Sequence, residues 1–348
     1  MKLVTVLVFI ATLLLYSSVF ISPEVFSYIG LLPFFIPIFL IINGFLLAIF
    51  ALAWKRLAFL PLLALVIGYK FILITFQIHP RNEEAPGLKV LTYNTANFFH
   101  KRVKSNDQDP NVFTWLAEHP ADIKVFQEFY QDYTSSKRNA VKLISNDGEL
   151  EYFHHLIEGN QKKRSYGMAI FSRYPIVNQG VVFDNKQTNG AIFADIRVGN
   201  DTLRIYNVHL ESMAISPGSL NDYERAQEVY RQTLGKLHRG SLARAQQLSI
   251  LMEHLRNSPH PVILMGDLNE IPYSYAYFKL SENLDSAFEK AGRGFEFTYN
   301  KILFFLRIDH IFADPSLDPV HFNTHREVDY SDHYPVTATF NWEGSEFQ

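Results

Sequence analysis

The pattern of apolar and polar positions along the chain changes character once, near Gly87. Before it lie three long apolar runs: Leu3 to Pro23 and Val25 to Trp54 carry no charged residue, and Leu57 to Ile78 carries only Lys70. Each run meets the roughly 20 apolar residues that a helix needs to cross hydrocarbon. A lysine near the middle of a span costs about 2.5 to 3.5 kcal/mol on insertion scales, so the third run is the weakest of the three. Residues 1–79 are therefore expected to be a membrane anchor of about three transmembrane helices. A cleaved leader is the alternative for the first run, but no small-residue cleavage site is evident and two further apolar runs follow. Lys2 and the Lys55-Arg56 pair are assigned to the cytoplasmic side by the positive-inside rule. Three crossings then put the rest of the chain on the non-cytoplasmic side, whereas a surface-lying third run would put it in the cytoplasm.

After a charged linker with prolines at its turns, 80–87, the pattern becomes one of short β-rich runs separated by turn residues. Strands are predicted at Lys89–Tyr93, Ile123–Gln127, Met168–Ser172, Ala191–Val198, Leu203–His209, Val262–Gly266, Arg307–Phe312 and Pro335–Phe340. Apolar residues recur at helical spacing over Asn111–Glu118 and Asp222–Arg256. Strands and helices interleave without regular alternation, which predicts an α/β (α+β) fold over 88–348. Two mixed β-sheets pack face to face as a sandwich with helices outside, preceded by the transmembrane helices.

Splitting the chain changes the reading of its charge. Residues 1–87 hold five basic and three acidic residues, so of the 32 basic and 35 acidic residues in the whole chain, 27 and 32 lie beyond Gly87, a formal charge of −5. Such a domain lacks the basic footprint of a protein that holds long nucleic acid through its phosphates, although a metal ion can supply local positive charge. The absence of cysteine excludes disulfides, thiolate metal sites and cysteine nucleophiles.

The polar residues of chemical interest fall at strand ends, where a sheet delivers side chains into a shared cleft. They are Asn94 after LKVLTY, Glu128 after IKVFQ, His209 in RIYNVHLES, Asp267 and Asn269 in PVILMGDLNE, Asp309 in RIDHIF, and Asp332-His333 in YSDHYPV. Taken singly, such residues commonly cap turns or sit hydrogen-bonded at the surface. Together they supply the parts for cleaving a phosphate ester. Glu128, Asn94 and Asp332 offer oxygen ligands to a hard cation, Mg²⁺ or Mn²⁺. Asp267, with Asn269 two residues on, suits the base that activates a water. His209 and His333 can donate to developing phosphate charge, and Asp309 can hold one imidazole in its working tautomer.

These blocks, in this order, resemble the endonuclease/exonuclease/phosphatase superfamily, which includes DNase I-like nucleases, sphingomyelinases and inositol polyphosphate phosphatases. The resemblance covers about Leu88 to Asn341, and GDLN at Gly266–Asn269 and SDH at Ser331–His333 are its most specific motifs. It implies the same two-sheet sandwich, and metal binding by Asn94 and Glu128 with Asp332 beside the metal. It also implies phosphate contact by His209, positioning of the nucleophile by Asp267 and Asn269, and orientation of His333 by Asp309. The expected activity is that of a membrane-tethered phosphodiesterase acting on a phospholipid head group or nucleic acid, with the lipid bilayer and the substrate as its partners and no protein partner. An inositol-phosphatase-like phosphomonoesterase and an inactive, membrane-anchored binding protein are the alternatives. The acidic balance gives no support to the first, and the second usually loses a ligand or carboxylate that is present here.

Other features are expected to be structural. His154 and His155 point to opposite faces of a strand and cannot easily share an ion. Gly292-Arg293-Gly294 is too short for a nucleotide fingerprint and is read as a turn. The basic residues Arg225, Arg231, Lys236, His238, Arg239 and Arg244 are read as an exposed helix face. Tyr166, in RSYGMAIFSR, is read equally as a packing residue or a neighbour of the phosphate.

Overall fold

The computed structural model describes residues 1–98, 110–145, 148–160, 162–185, 188–212, 226–301 and 306–342. Contacts divide the chain into two compact units. The first comprises Met1–Gln77, Met213–Gln246 and Glu270–Glu282, and the second comprises Ile78–Ser212, Gln247–Asn269 and Asn283–Gln348.

In the first unit the apolar runs form helices, because an apolar backbone segment satisfies its polar groups most locally that way. Among the described residues one helix, Ile29–Leu52, with 24 residues, is long and apolar enough to cross a membrane, while Lys2–Ser18 and Arg56–Ile67 are shorter. The third run does not form one continuous helix. It breaks at Gly68, whose φ of −86° and ψ of 14° leave the helical region, and resumes at Tyr69–Leu73. Asn43 donates its side-chain amide to Thr12 Oγ1 at 2.9 Å between two of the helices. Tyr273 and Phe278 pack within the same unit: Tyr273 hydrogen-bonds Thr75 at 2.6 Å and Phe278 meets Phe71 and Phe20 at 5.3 and 5.5 Å. The basic helix face departs from the expectation of full solvation. Arg244 is buried against Glu270 at 2.6 Å, a partner that offsets its desolvation, and His238 stacks on Tyr28 at 4.2 Å with its Nε2 buried, whereas Arg225 lies outside the described residues.

The strands are, in chain order, β1 (Gln77–Ile78), β2 (Leu88–Asn94), β3 (Ile123–Asp132), β4 (Glu151–Gly159), β5 (Arg164–Ser172), β6 (Ile176–Asp184) and β7 (Gly190–Val198). There follow β8 (Asp201–His209), β9 (Val262–Asp267), β10 (Asp285–Ser286), β11 (Arg293–Gly294), β12 (Asp309–Ala313), β13 (Leu317–Thr324) and β14 (Val336–Trp342). Two six-stranded mixed sheets result, ordered β13-β14-β2-β3-β5-β4 and β10-β12-β9-β8-β7-β6.

Alternation along the strands explains both the core and the cleft. Leu88, Val90, Ile123 and Val125 of one sheet join Leu203, Ile205, Ile263, Met265 and Ile311 of the other in a single buried cluster. The same inward face turns polar as each strand advances: Thr92 then Asn94, Gln127, Asn207 then His209, and Asp267. β2 and β3 run parallel, as do β8 and β9, so these polar ends coincide, and antiparallel β12 places Asp309 directly opposite Asp267. Outward residues Leu91, Tyr93 and Phe126 are covered by the helices Pro110–Glu118 and Ala140–Ile144.

Beneath the cleft a buried polar layer joins the sheets. Gln127 Nε2 donates to Asn207 Oδ1 at 2.7 Å, and Asn207 Nδ2 donates to the carbonyls of Phe126 and Ala169 at 2.8 and 3.0 Å. Asn207→Ala leaves Gln127 Nε2 with only Thr92 Oγ1, at 3.1 Å, removes the donor to the Phe126 and Ala169 carbonyls and opens a void, so it is expected to lower unfolding stability by about 2 to 3 kcal/mol, measured by chemical denaturation.

Two histidines make stability depend on pH. Burial first, then electrostatic opposition from His325, Lys124 and Lys89, holds His119 down to about 3, and burial followed by His155 holds His154 down to about 4. Both are neutral in the folded state, while in the unfolded chain they take up protons below about pH 6.5. Their contribution is complete above that value and is lost progressively as the pH falls toward 4 and 3. Because both rings are partly exposed, the expected loss between pH 7 and pH 4 is on the order of 3 kcal/mol. Thermal melts across this range should show it, and a flat profile would exclude it.

Candidate active site

Asp267, the last residue of β9, is the hub of the cleft. Its Oδ2 accepts from Asn94 Nδ2 at 3.0 Å, and lies 3.5 Å from His209 Nε2 and 3.7 Å from His333 Nε2. Its Oδ1 accepts from the backbone N–H of Asn269 at 2.8 Å. That turn requires Asn269 in the left-handed region, φ 50°, a conformation asparagine tolerates, and its side chain donates to the Leu210 carbonyl at 3.1 Å.

Glu128 reaches the cleft by a different route. Gln127 occupies the inward slot of β3, so regular alternation would send Glu128 to the outer face. A bulge between Phe126 and Phe129 and a φ of 47° turn it inward, where its side chain is 28% exposed. A left-handed glutamate is a strained residue of the kind that clusters at functional sites. Its Oε1 accepts from Asn94 Nδ2 at 3.3 Å and lies 3.9 Å from His209 Nε2. The His209 Nδ1–H donates to the Thr188 carbonyl at 3.0 Å, which fixes the ring and aims Nε2 into the cleft.

Asp309 Oδ2 and His333 Nδ1 lie 2.8 Å apart, and both residues are buried. Burial alone would lower the His333 pKa, but the charges of Asp309 and Asp267 outweigh it and raise it to about 10. Burial pushes the Asp309 carboxyl up, opposed by the charge and hydrogen bond of His333. The shared proton stays with the imidazole because further carboxylates, Asp267 and Asp332, also act on the ring. His333 thus stands as an imidazolium with Nε2 free to donate into the cleft.

The cleft therefore brings together Asn94, Glu128, His209, Asp267, Asn269, Asp309 and His333. Asp332 is turned to Lys301 Nζ at 2.6 Å. Asn94 presents its amide nitrogen to Glu128 and Asp267, while its Oδ1 accepts from Ala96 N at 3.1 Å, so it bridges the two carboxylates. Tyr166 packs beside Tyr130 at 5.0 Å. His154 and His155 part company: His155 pairs with Asp184 at 3.1 Å, and His154 packs its ring against Phe129 at 5.3 Å.

The donor set suits a hard divalent cation. Carboxylate oxygens of Asp267 and Asp309 lie within 4.8 Å of one another and Glu128 adds a partly exposed carboxylate beside them, whereas His333, as an imidazolium, offers no lone pair to an ion. Among the described residues no lysine or arginine pairs with Glu128, Asp267 or Asp309, so the cluster carries carboxylate charge that such a cation would offset. Asp309 Oδ1 is moreover buried without a hydrogen-bond partner.

Several supporting residues were not foreseen from sequence. Tyr299 sets its ring edge-on to His333 at 5.3 Å, and burial, then Asp332, raises its pKa to about 12. Ser331 Oγ donates to the Asn94 carbonyl at 2.7 Å, pinning the His333 loop to β2, and Thr298 Oγ1 accepts from Asp309 N at 3.2 Å. Only Ser331 stood inside a motif. Tyr299, Thr298 and Lys301 lie in a segment without strand or helix periodicity, where no spacing marks them.

Comparison with known proteins bears on the family and the fold. The profile of the Endonuclease/Exonuclease/phosphatase family matches residues 91–333. The chain belongs to that family and is a phosphoester hydrolase. A domain of unknown function matches residues 1–75, and no curated protein matches the sequence. Among solved structures, an endonuclease/exonuclease/phosphatase from Beutenbergia cavernae is 19% identical with a TM-score of 0.53, covering 75% of this chain and 73% of that one. D. rerio TDP2, complexed with a single-strand DNA product, is 18% identical with a TM-score of 0.52, covering 74% of this chain and 100% of that one. The mannosyl-6-phosphatase of Bacteroides thetaiotaomicron is 20% identical with a TM-score of 0.51, covering 73% of this chain and 100% of that one. At these identities the likeness is one of fold.

Proposed function

We propose that this protein is an integral-membrane, Mg²⁺- or Mn²⁺-dependent phosphodiesterase that hydrolyses a phospholipid head group or nucleic acid by in-line attack of water. The observation that carries the reading is the cleft itself, in which Glu128, Asp267 and Asp309 meet two oriented imidazoles with no lysine or arginine paired to the three carboxylates among the described residues. A bound cation would polarise the phosphoryl group and steady the leaving oxygen. Glu128 is the residue best placed to hold it, with Asn94 joining after a turn of its amide and Asp332 after release from Lys301.

Asp267 Oδ2 takes the proton from water as its oxygen bonds to phosphorus, and Asn269 holds Asp267 through its backbone N–H. The bond from phosphorus to the leaving oxygen breaks on the opposite side. His333 donates from Nε2 to a phosphate oxygen, His209 turns its Nε2 to the same side and donates once that nitrogen is protonated, and Asp309 keeps His333 charged and aligned.

The apolar helix Ile29–Leu52 supports a membrane tether. We read residues 1–79 as three crossings, the third completed beyond the break at Gly68 by Tyr69–Leu73, 80–87 as a linker and 88–348 as the catalytic domain, lying outside the cytoplasm. Tethering favours a lipid substrate over a nucleic acid, because it holds the enzyme where lipid phosphate is concentrated.

The test is release of nitrophenol from bis-p-nitrophenyl phosphate by the full chain in detergent, with Mg²⁺, Mn²⁺ or a chelator. Metal-dependent release is expected. Metal binding with no hydrolysis of this ester, of phospholipid vesicles or of single-stranded DNA would leave a binding protein instead. A reporter fused after Gln348 should behave as non-cytoplasmic, and a cytoplasmic signal would remove one crossing.

A further inference from the structure

A second cavity, of ≈ 770 Å³, lies away from the cleft in the same unit, against β13, β14 and the start of β2. Its wall includes Lys89, Thr337 and Thr339, which alternate with the core residues Leu88, Val90, Val336 and Ala338 and so stand on the outer face of the sheet. Lys89 precedes Asn94 by five residues on one strand, a separation of about 16 Å at the usual rise. The volume is that of a small-molecule site.

The charges around this cavity are unevenly committed. Each carboxylate is already engaged: Glu83 by Arg81 at 3.9 Å, Glu296 by the Thr324 N–H at 3.0 Å, and Glu327 by His325 Nδ1 at 2.8 Å. The cations are not. Among the described residues Lys89 Nζ, Arg293 and Arg326 have no carboxylate partner, and Arg326 lies 5.9 Å over the Phe297 ring. Three imidazoles, His119, His321 and His325, line the same space. His119 is held down by burial and then by His325, Lys124 and Lys89, and His321 by burial and then, against the pull of Glu83, by His325, Arg81 and Lys89. At neutral pH both rings are uncharged hydrogen-bonding groups beside unneutralised cations. Phe295 and Phe297, stacked at 5.2 Å, add an apolar wall.

We propose that this cavity is a binding site for a phosphate-bearing small molecule, distinct from the catalytic cleft. Lys89 and Arg293 supply the charge, His119 and His321 supply neutral hydrogen bonds, and the Phe295-Phe297 wall receives the apolar part of the ligand. Phosphate from a soluble compound and phosphate from a lipid head group present the same chemistry to these cations.

Equilibrium dialysis of the full chain in detergent, with chelator present to silence the metal cleft, separates the sources. One arm uses inorganic pyrophosphate and the other dihexanoyl phosphatidic acid. Saturable binding of at least one is expected, with the preferred probe identifying the source. The Lys89→Gln/Arg293→Gln double variant should weaken it at least tenfold, Lys89→Arg should retain it, and Asp267→Asn should leave it unchanged. Thermal melts of the double variant should match the parent, since neither side chain has a partner to lose. Failure of both probes to bind, binding that persists in the double variant, or binding abolished by Asp267→Asn would each overturn the assignment.

Discussion

Asp267→Asn should reduce turnover by about 10³- to 10⁴-fold at saturating metal while leaving the protein folded. The isosteric amide keeps an acceptor for the Asn269 N–H but presents an NH₂ group to the Asn94 Nδ2 donor that Asp267 Oδ2 now accepts at 3.0 Å. That opposition costs about 1 to 2 kcal/mol of stability, small against the loss of the base. Single-turnover hydrolysis of bis-p-nitrophenyl phosphate, with a thermal melt on the same sample, separates the two effects. A rate within tenfold of the parent would remove Asp267 from the role of base and pass it to another group near the water.

Asp309→Asn should lower kcat by about 10²- to 10⁴-fold, by analogy with other carboxylate–histidine pairs. The variant keeps a hydrogen-bond acceptor for His333 Nδ1 at the same place but removes the largest single charge holding that imidazole protonated. The discriminating measurement is the response to metal concentration. If Asp309 acts through His333, saturating Mg²⁺ will not restore the rate. Recovery at high Mg²⁺ would instead place Asp309 among the metal ligands, as its proximity to Asp267 and its unpartnered Oδ1 allow.

Most of the cleft was legible in the sequence because its residues end strands whose interiors are nearly all apolar. Val262–Asp267 and Asp201–His209 were foreseen almost to their ends, since buried central strands leave an unambiguous apolar run. The edge strands Glu151–Gly159 and Ile176–Asp184 were not, because they are largely exposed and their apolar content is diluted. Glu128 was identified through its motif, but alternation alone would have put it on the wrong face, because the bulge that turns it inward leaves no mark in composition. The pairing of Asp332 with Lys301 was hidden for another reason, since it joins a motif residue to one that belongs to no recognisable pattern. The continuous third helix expected over Leu57–Ile78 failed at Gly68, where the Tyr16 ring fills the space a side chain would take.

The left-handed backbone at Glu128 also bears on how far this protein can be stabilised. Glycine would occupy φ 47° without strain, so Glu128→Gly relieves about 1 kcal/mol at that position while deleting the most accessible carboxylate of the cleft. Selection for thermal robustness alone would therefore drift toward an inert scaffold, and the working sequence is a compromise held in place by catalysis rather than by folding.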